Sequence, residues 1–457
     1  MDIDLPALLA GLAREHRVPG AQLAVHHAGE TVTAEIGEET YGSGEPVTRR
    51  SAFPLGSLTK PFTATLVMAL AGGGDIDLDA PLAEYVPEVG PGGRMTPRGL
   101  LSHTGGLASN IDEGGEHSEV RRRWVARHCR ESAAVHPPGT VFSYSNIGYI
   151  LAGHLVEVVT GMSWWEATEA ILLKPLDIAP AFVVGPPSGF RPQATGHTVR
   201  QGRDRPLPVT GQTLPKVAAP SAGLALGAAD LVTFARSHLG ALSLQAAIDR
   251  DCAREMRRDQ LTGVKAGPFG MADSWGLGWA IYRDAGTDWF GHDGTGEGTS
   301  CHLRFEEAAG TVVALTTNAA TGVALWEDLL EELRPGGRAV GGRGLSRPPE
   351  PGPRTPGSPE CAGRYVNGEM EFTVVADGAG GLGLTTNAAE RFELTCFEGL
   401  RFTMREPTGG RTTYTGRFLR DPETGGVDLV QVAGRLARRA RDDGSALAAL
   451  AAPGEGG

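Results

Sequence analysis

The positions of the strand-like runs constrain this chain most. Gln22-Leu23-Ala24-Val25 and Thr31-Val32-Thr33-Ala34-Glu35-Ile36 flank the turn residues Ala28-Gly29-Glu30 and read as a hairpin. The next comparable runs, residues 275–282 and 303–315, come only after a long and mostly helical middle. Early and late strands would then share one antiparallel sheet with helices inserted between them, which makes the expected fold class α+β.

The texture changes after a Pro-rich stretch, Arg347-Pro348-Pro349-Glu350-Pro351-Gly352-Pro353, that reads as a semi-rigid linker. Beyond it come short runs such as Phe372-Thr373-Val374-Val375, Phe392-Glu393-Leu394-Thr395 and Val427-Asp428-Leu429-Val430, several separated by glycine turns. They suggest a small up-and-down sheet or barrel of roughly seven or eight strands. The expected organisation is a first domain over 1–342, a linker over 343–360, a β domain over 361–441 and a frayed tail over 442–457. Residues 186–220, rich in Pro, Gly and Arg, read as a rim loop over a pocket or as a mobile surface excursion.

A formal charge of -12 argues against non-specific nucleic-acid binding, which needs a positive field. No apolar run is long enough to span a membrane. The acidic start Met1-Asp2-Ile3-Asp4 lacks the basic, then apolar, pattern of an export signal, so a cytoplasmic location is expected. The five cysteines, 129, 252, 301, 361 and 396, are scattered and read as reduced thiols or small buried residues. Arg121-Arg122-Arg123 reads as a solvated helix face, with contact to an acidic carrier protein as the alternative.

Three segments carry chemistry. Ser57 and Lys60 stand three residues apart ahead of an apolar helical stretch, so the amine can reach the serine oxygen as it does in an activated nucleophile. Alone the spacing is common, and a helix start with a solvated lysine accounts for it. Tyr144-Ser145-Asn146 supplies a phenol and an amide, and His292-Asp293-Gly294-Thr295-Gly296 supplies an imidazole followed by small residues. A flexible turn between strands would explain the latter equally well by itself.

In order and spacing the three segments resemble the motifs Ser-x-x-Lys, Tyr-x-Asn and Lys/His-x-Gly of the serine β-lactamase and penicillin-binding-protein superfamily, in its class C, esterase and D-aminopeptidase branch. Leu100-Leu101-Ser102-His103-Thr104-Gly105-Gly106-Leu107, Pro137-Pro138-Gly139 and Pro220-Ser221-Ala222-Gly223-Leu224 are similar to further landmarks, and the resemblance runs over about residues 5–330. It implies a β-lactamase/transpeptidase-like fold with Ser57 as nucleophile and Lys60 or Tyr144 as its base. Asn146 would hydrogen-bond both Lys60 and the acyl carbonyl, and the backbone N–H groups of Ser57 and Thr295 would form the oxyanion hole. Gly294 would let the backbone approach the ligand. No cofactor or metal is implied, and His103, His117, His128, His136, His154 and His197 form no metal-ligand pattern.

His292 departs from the lysine usual in β-lactamases and transpeptidases. A mostly neutral imidazole is a weaker carboxylate anchor and a better proton relay, which favours neutral acyl donors. With the cytoplasmic start and the single β domain, this is similar to the penicillin-binding-protein-type thioesterases, which release non-ribosomal peptides from a carrier protein by head-to-tail macrolactam formation. The implied substrate is a peptidyl thioester or ester, and the related β domains bring an arginine to the site. Arg435 is the candidate here, with Arg438 and Arg439 as rivals. An esterase, a D-amino-acid amidase or an acyltransferase of the same branch remains open, as does an inactive binding protein of the same fold.

Overall fold

The computed structural model describes residues 4–440 apart from 91–92, 111–119, 186–190, 200–204, 212, 241–247, 285, 334–351, 388–389, 406–412 and 422–423. Its main sheet has seven strands: β1 (Gly20–His27), β2 (Glu30–Gly37), β3 (Ser274–Trp275), β4 (Ala280–Asp284), β5 (Thr287–Gly296), β6 (Thr299–Glu306) and β7 (Val312–Thr317). Their order is β2-β1-β7-β6-β5-β4-β3, antiparallel throughout. The early hairpin therefore pairs directly with the late strands, Ala21 opposite Thr317 and Val25 opposite Val313. Every residue of β6 is buried, as expected of a central strand covered on both faces.

One face is covered by helices that the chain inserts between β2 and β3. Helix α2 (Lys60–Gly73) carries Pro61 in its first turn, where a missing N–H costs nothing, and stops at Gly74, held at φ +84°. Residues 60–68 of it are all buried, so it is an interior helix rather than an amphipathic one. Phe62 stacks at 3.7 Å on Phe234 of α4 (Ala228–His238), and burying each ring contributes roughly 1.5–3 kcal/mol. Helix α3 (Asn146–Thr160) is capped by Ser145, whose Oγ accepts the Gly148 N–H at 3.0 Å and donates to the Ala108 carbonyl at 2.6 Å. The other face packs against α1 (Leu5–Glu15) and α5 (Gly322–Leu333) through Leu9, Leu12, Trp326 and Leu329.

The second body is a closed barrel of eight strands: β8 (Gly363–Asn367), β9 (Met370–Ala376), β10 (Leu382–Thr386), β11 (Glu390–Phe397), β12 (Arg401–Arg405), β13 (Thr413–Arg420), β14 (Val427–Val432) and β15 (Arg435–Arg439). It closes where Tyr365 of β8 pairs with Arg439 of β15. Tyr365, Phe372, Phe402, Phe418 and Val430 belong to its packed core. The first part of the expected linker, 343–351, and the tail 442–457 lie outside the described residues. The rest of that linker already lies on the barrel, where the Thr355 N–H bonds the Cys396 carbonyl and the Gly357 N–H bonds the Gly380 carbonyl.

Arg121 corrects the reading of a solvated basic face. It is 6% exposed, pairs with Glu157 and donates to the Val217 carbonyl at 3.0 Å, so only Arg122 and Arg123 of the three are exposed. All five cysteines are free thiols. Among the described residues no helix is long and apolar enough to cross a membrane.

Candidate active site

Two glycines lock the serine segment against the sheet. Ser57 lies in a 3-10 turn, Gly56–Thr59, that runs straight into α2. Gly56 has φ +52°, and a Cβ there would stand 2.2 Å from the Thr295 carbonyl oxygen. A Cβ on Gly294 would stand 1.9 Å from the Leu55 oxygen and 2.7 Å from the Leu58 nitrogen. Only glycine permits this backbone-to-backbone contact. The close approach that Gly294 allows is to the Ser57 segment. It also sets Thr295 and Ser57, the two expected oxyanion donors, on segments that touch.

Lys60 is fully buried, and its Nζ bonds Ser57 Oγ at 2.9 Å and the Ser221 carbonyl at 3.0 Å. Burial, and after it the charge of Arg435, holds the amine well below its ordinary pKa. The Tyr144 ring centroid lies 5.0 Å from Lys60 Nζ and 5.2 Å from the Arg435 guanidinium. Burial raises the Tyr144 phenol above its usual range, although a hydrogen bond with Ser57 and the Arg435 charge oppose the shift. The amine thus gives up its proton more readily than usual while the phenol keeps its own.

The barrel supplies Arg435. Its strand reaches the tyrosine segment directly, with the Tyr144 N–H bonded to the Gly434 carbonyl at 3.1 Å. No carboxylate among the described residues pairs with Arg435. The rivals are occupied elsewhere: Arg438 is exposed, and Arg439 donates to the Glu360, Ala362 and Val427 carbonyls in the barrel wall.

Asn146 departs from expectation. Its Nδ2 donates to Asn110 Oδ1 at 2.6 Å, while its buried Oδ1 has no partner, so it makes no bond to Lys60. The second acceptor for Lys60 is instead the Ser221 carbonyl, in the Pro220–Leu224 segment that the sequence had marked for other reasons. His292 donates through Nδ1 to the Asp293 carbonyl at 2.6 Å, which leaves Nε2 as a buried lone pair without a partner. Burial, with the Lys60 charge second, drops its pKa to about 3. Burial thus keeps the imidazole neutral and leaves Nε2 free to accept a hydrogen bond. Behind it, on the opposite face of β5, Asp293 takes a bidentate pair from the fully buried Arg304 and a 2.7 Å bond from His302.

His103 belongs to the site's wall and was not singled out by residue-type reasoning. Its Nδ1 accepts the Ser145 N–H at 3.1 Å, and its ring lies 4.3 Å from that of Tyr144, with Trp275 against both. The signal was its place in the Leu100–Leu107 segment. The described part of 186–220 around His197 reaches the turn after the His292 strand, where the His197 N–H bonds the Gly298 carbonyl at 2.8 Å.

The β-lactamase family model matches residues 5–334. The chain belongs to the β-lactamase family. Penicillin-binding protein 4 of Amycolatopsis lactamdurans is 36% identical over 337 residues, covering 70% of this chain and 86% of that protein. Esterase EstB of Burkholderia gladioli is 30% identical over 360 residues, 69% of this chain and 90% of the esterase. The crystal structure of SurE, at 39% identity, superposes with a TM-score of 0.84 over 95% of this chain and 98% of SurE; its structure with D-Leu gives 0.82 at 38%. The likeness to SurE thus extends through the barrel. The protein is a serine acyl-transfer enzyme of the β-lactamase and penicillin-binding-protein superfamily, with the family's layered domain and an added eight-stranded barrel.

Proposed function

We propose that the protein releases a carrier-bound peptide as a head-to-tail macrolactam through an acyl-enzyme on Ser57. Lys60, neutral for part of the time, takes the Ser57 proton as Oγ attacks the thioester carbonyl. The backbone N–H groups of Ser57 and Thr295 hold the oxyanion, and the proton leaves with the departing thiol by way of Lys60 and the Tyr144 phenol. The peptide's own amine then attacks the ester. A C–N bond forms, the C–Oγ bond breaks and the amine's proton returns to Ser57.

Arg435 is the observation that carries this reading. A permanent cation from the barrel beside the acyl-enzyme disfavours an ammonium there, so the incoming amine is held in its nucleophilic, neutral form. With His292 also neutral, the site offers no fixed cation in the third motif for a substrate carboxylate. The D-Leu complex of SurE supports a D-configured residue at the acyl position. A net charge of -12 makes a nucleic-acid partner unfavourable.

Ester hydrolysis is the second reading, favoured by the likeness to esterase EstB. Purified protein given a linear peptidyl thioester with a C-terminal D-residue and a free N-terminal L-residue separates the two by product mass. Cyclisation yields a product one water lighter than the free acid, and Ser57→Ala abolishes it with the fold intact. Linear acid alone would transfer the assignment to a hydrolase.

A further inference from the structure

We infer that Asn367, in barrel strand β8, is a positioning residue for acyl transfer. Its side chain is 0% exposed. Oδ1 accepts the Ser109 N–H at 2.7 Å, and Nδ2 donates to the Leu436 carbonyl at 2.7 Å and to Ser143 Oγ at 3.2 Å. Each of these partners is joined to a different part of the site. Ser143 precedes Tyr144, and Leu436 follows Arg435. The Ser109 carbonyl accepts the Asn146 N–H at 2.9 Å, and the next residue, Asn110, accepts from Asn146 Nδ2. One planar amide therefore fixes the tyrosine, the amide and the barrel arginine relative to one another.

The surroundings reinforce the clamp. Ser143 Oγ also accepts the Leu436 N–H at 3.2 Å, and the Leu436 carbonyl takes a second bond from His136 Nε2 at 2.8 Å. Gly368, at φ +61°, turns the chain so tightly against the loop that a Cβ there would stand 2.7 Å from Ala108 Cβ and 3.3 Å from the Asn110 oxygen. No atom of Asn367 is required to touch substrate. Its effect passes through Tyr144, Asn146 and Arg435, and a displacement near 1 Å at such groups costs on the order of 10²-fold in rate. The inference rests on the reading of Ser57 as the acylated residue, not on which acceptor follows.

Full-length N367A and N367D are compared with wild type in single-turnover acylation by the p-nitrophenyl ester of N-acetyl-D-leucine. Rates are divided by the number of sites counted from the nitrophenolate burst, so that loss of folded protein does not register. The limiting acylation rate per site is expected to fall by about tenfold to a hundredfold, with the half-saturating ester concentration within about twofold of wild type. S143A, which removes one of the amide's two acceptors and with it the acceptor of the Leu436 N–H, is expected to lose about threefold to tenfold, and a wild-type rate per site in S143A would overturn the clamp if the Asn367 variants do not fold. Wild-type rates per site in the folded variants would overturn the assignment. A wild-type protein that forms no adduct on Ser57 would overturn the site reading itself, and this inference with it.

Discussion

Replacing Gly294 by alanine tests whether the serine segment and the third motif are held by direct backbone contact. The added Cβ would lie 1.9 Å from the Leu55 oxygen, whereas a carbon–oxygen contact settles at about 3.3 Å. Strand β5 and the Ser57 turn must then separate by roughly 1.4 Å, by difference from that contact distance. Neither side yields easily: Gly294 is paired with Cys301 in the fully buried β6, and the Leu58 nitrogen would block the methyl 2.7 Å away. Such overpacking costs about 1–3 kcal/mol in stability. Because the same movement parts the Ser57 and Thr295 N–H groups, the acylation rate is expected to fall by about 10²-fold. The assay is the nitrophenyl-ester burst, with thermal melting alongside. Gly11→Ala, inside α1 with nothing within 4 Å of its Cβ, is the control expected to keep activity and to gain about 0.5–1 kcal/mol in stability. A folded Gly294→Ala protein with wild-type acylation would refute the interlocking argument.

Two predictions concern pH. Acylation should rise with pH as Lys60 deprotonates; removing the neighbouring charge in Arg435→Ala favours the ammonium, raises the Lys60 pKa and moves this limb to higher pH, while Arg435→Lys moves it less. A limb in the same place for Arg435→Ala would disprove the coupling. With a pKa of about 3, His292 stays neutral across the physiological range, so wild type and His292→Gln should show the same limb position even if their rates differ. A limb near pH 6.5, about the ordinary imidazole value, present in wild type and lost in His292→Gln, would contradict the buried, neutral imidazole.

What was legible in the sequence follows from how local each signal is. The hairpin over 20–37 and the runs of the barrel announce themselves because alternation is a property of neighbours along one strand. The closeness of Ser57 and Lys60 likewise follows from a separation of three residues at a helix start. Tyr144 and His292 were identified by type and order, and the fold brings their rings to 6.1 Å. The misreadings concern contacts set by distant chain. Which way the Asn146 amide faces depends on Asn110, which accepts from its Nδ2, and Oδ1 is left short of Lys60 without a partner. That Gly294 also has to fit against Leu55, more than two hundred residues away in sequence, could not be read from its own surroundings. Arg121 looks like part of a charged surface run until Glu157 of α3 is placed beside it. Asn367 sits in an ordinary strand, and nothing near it in sequence hints that Ser109 and Ser143 are its partners.

The arrangement of charge explains why the barrel is part of the catalytic unit rather than an appendage. Lys60 and Arg435 stand about 5 Å from the same tyrosine ring, 5.0 and 5.2 Å, in a region where burial already penalises charge. Two neighbouring cations cannot both remain charged at low cost, and arginine is the one that keeps its proton. The lowered pKa therefore falls on Lys60, the group bonded to Ser57, with burial first among its causes and the Arg435 charge second. The same strand that brings the arginine also bonds the Tyr144 backbone through Gly434 and, through Leu436, joins the amide of Asn367. Position and charge reach the serine by one route, from β15 through Tyr144 and Lys60, so the second domain adds to what burial already does to the base.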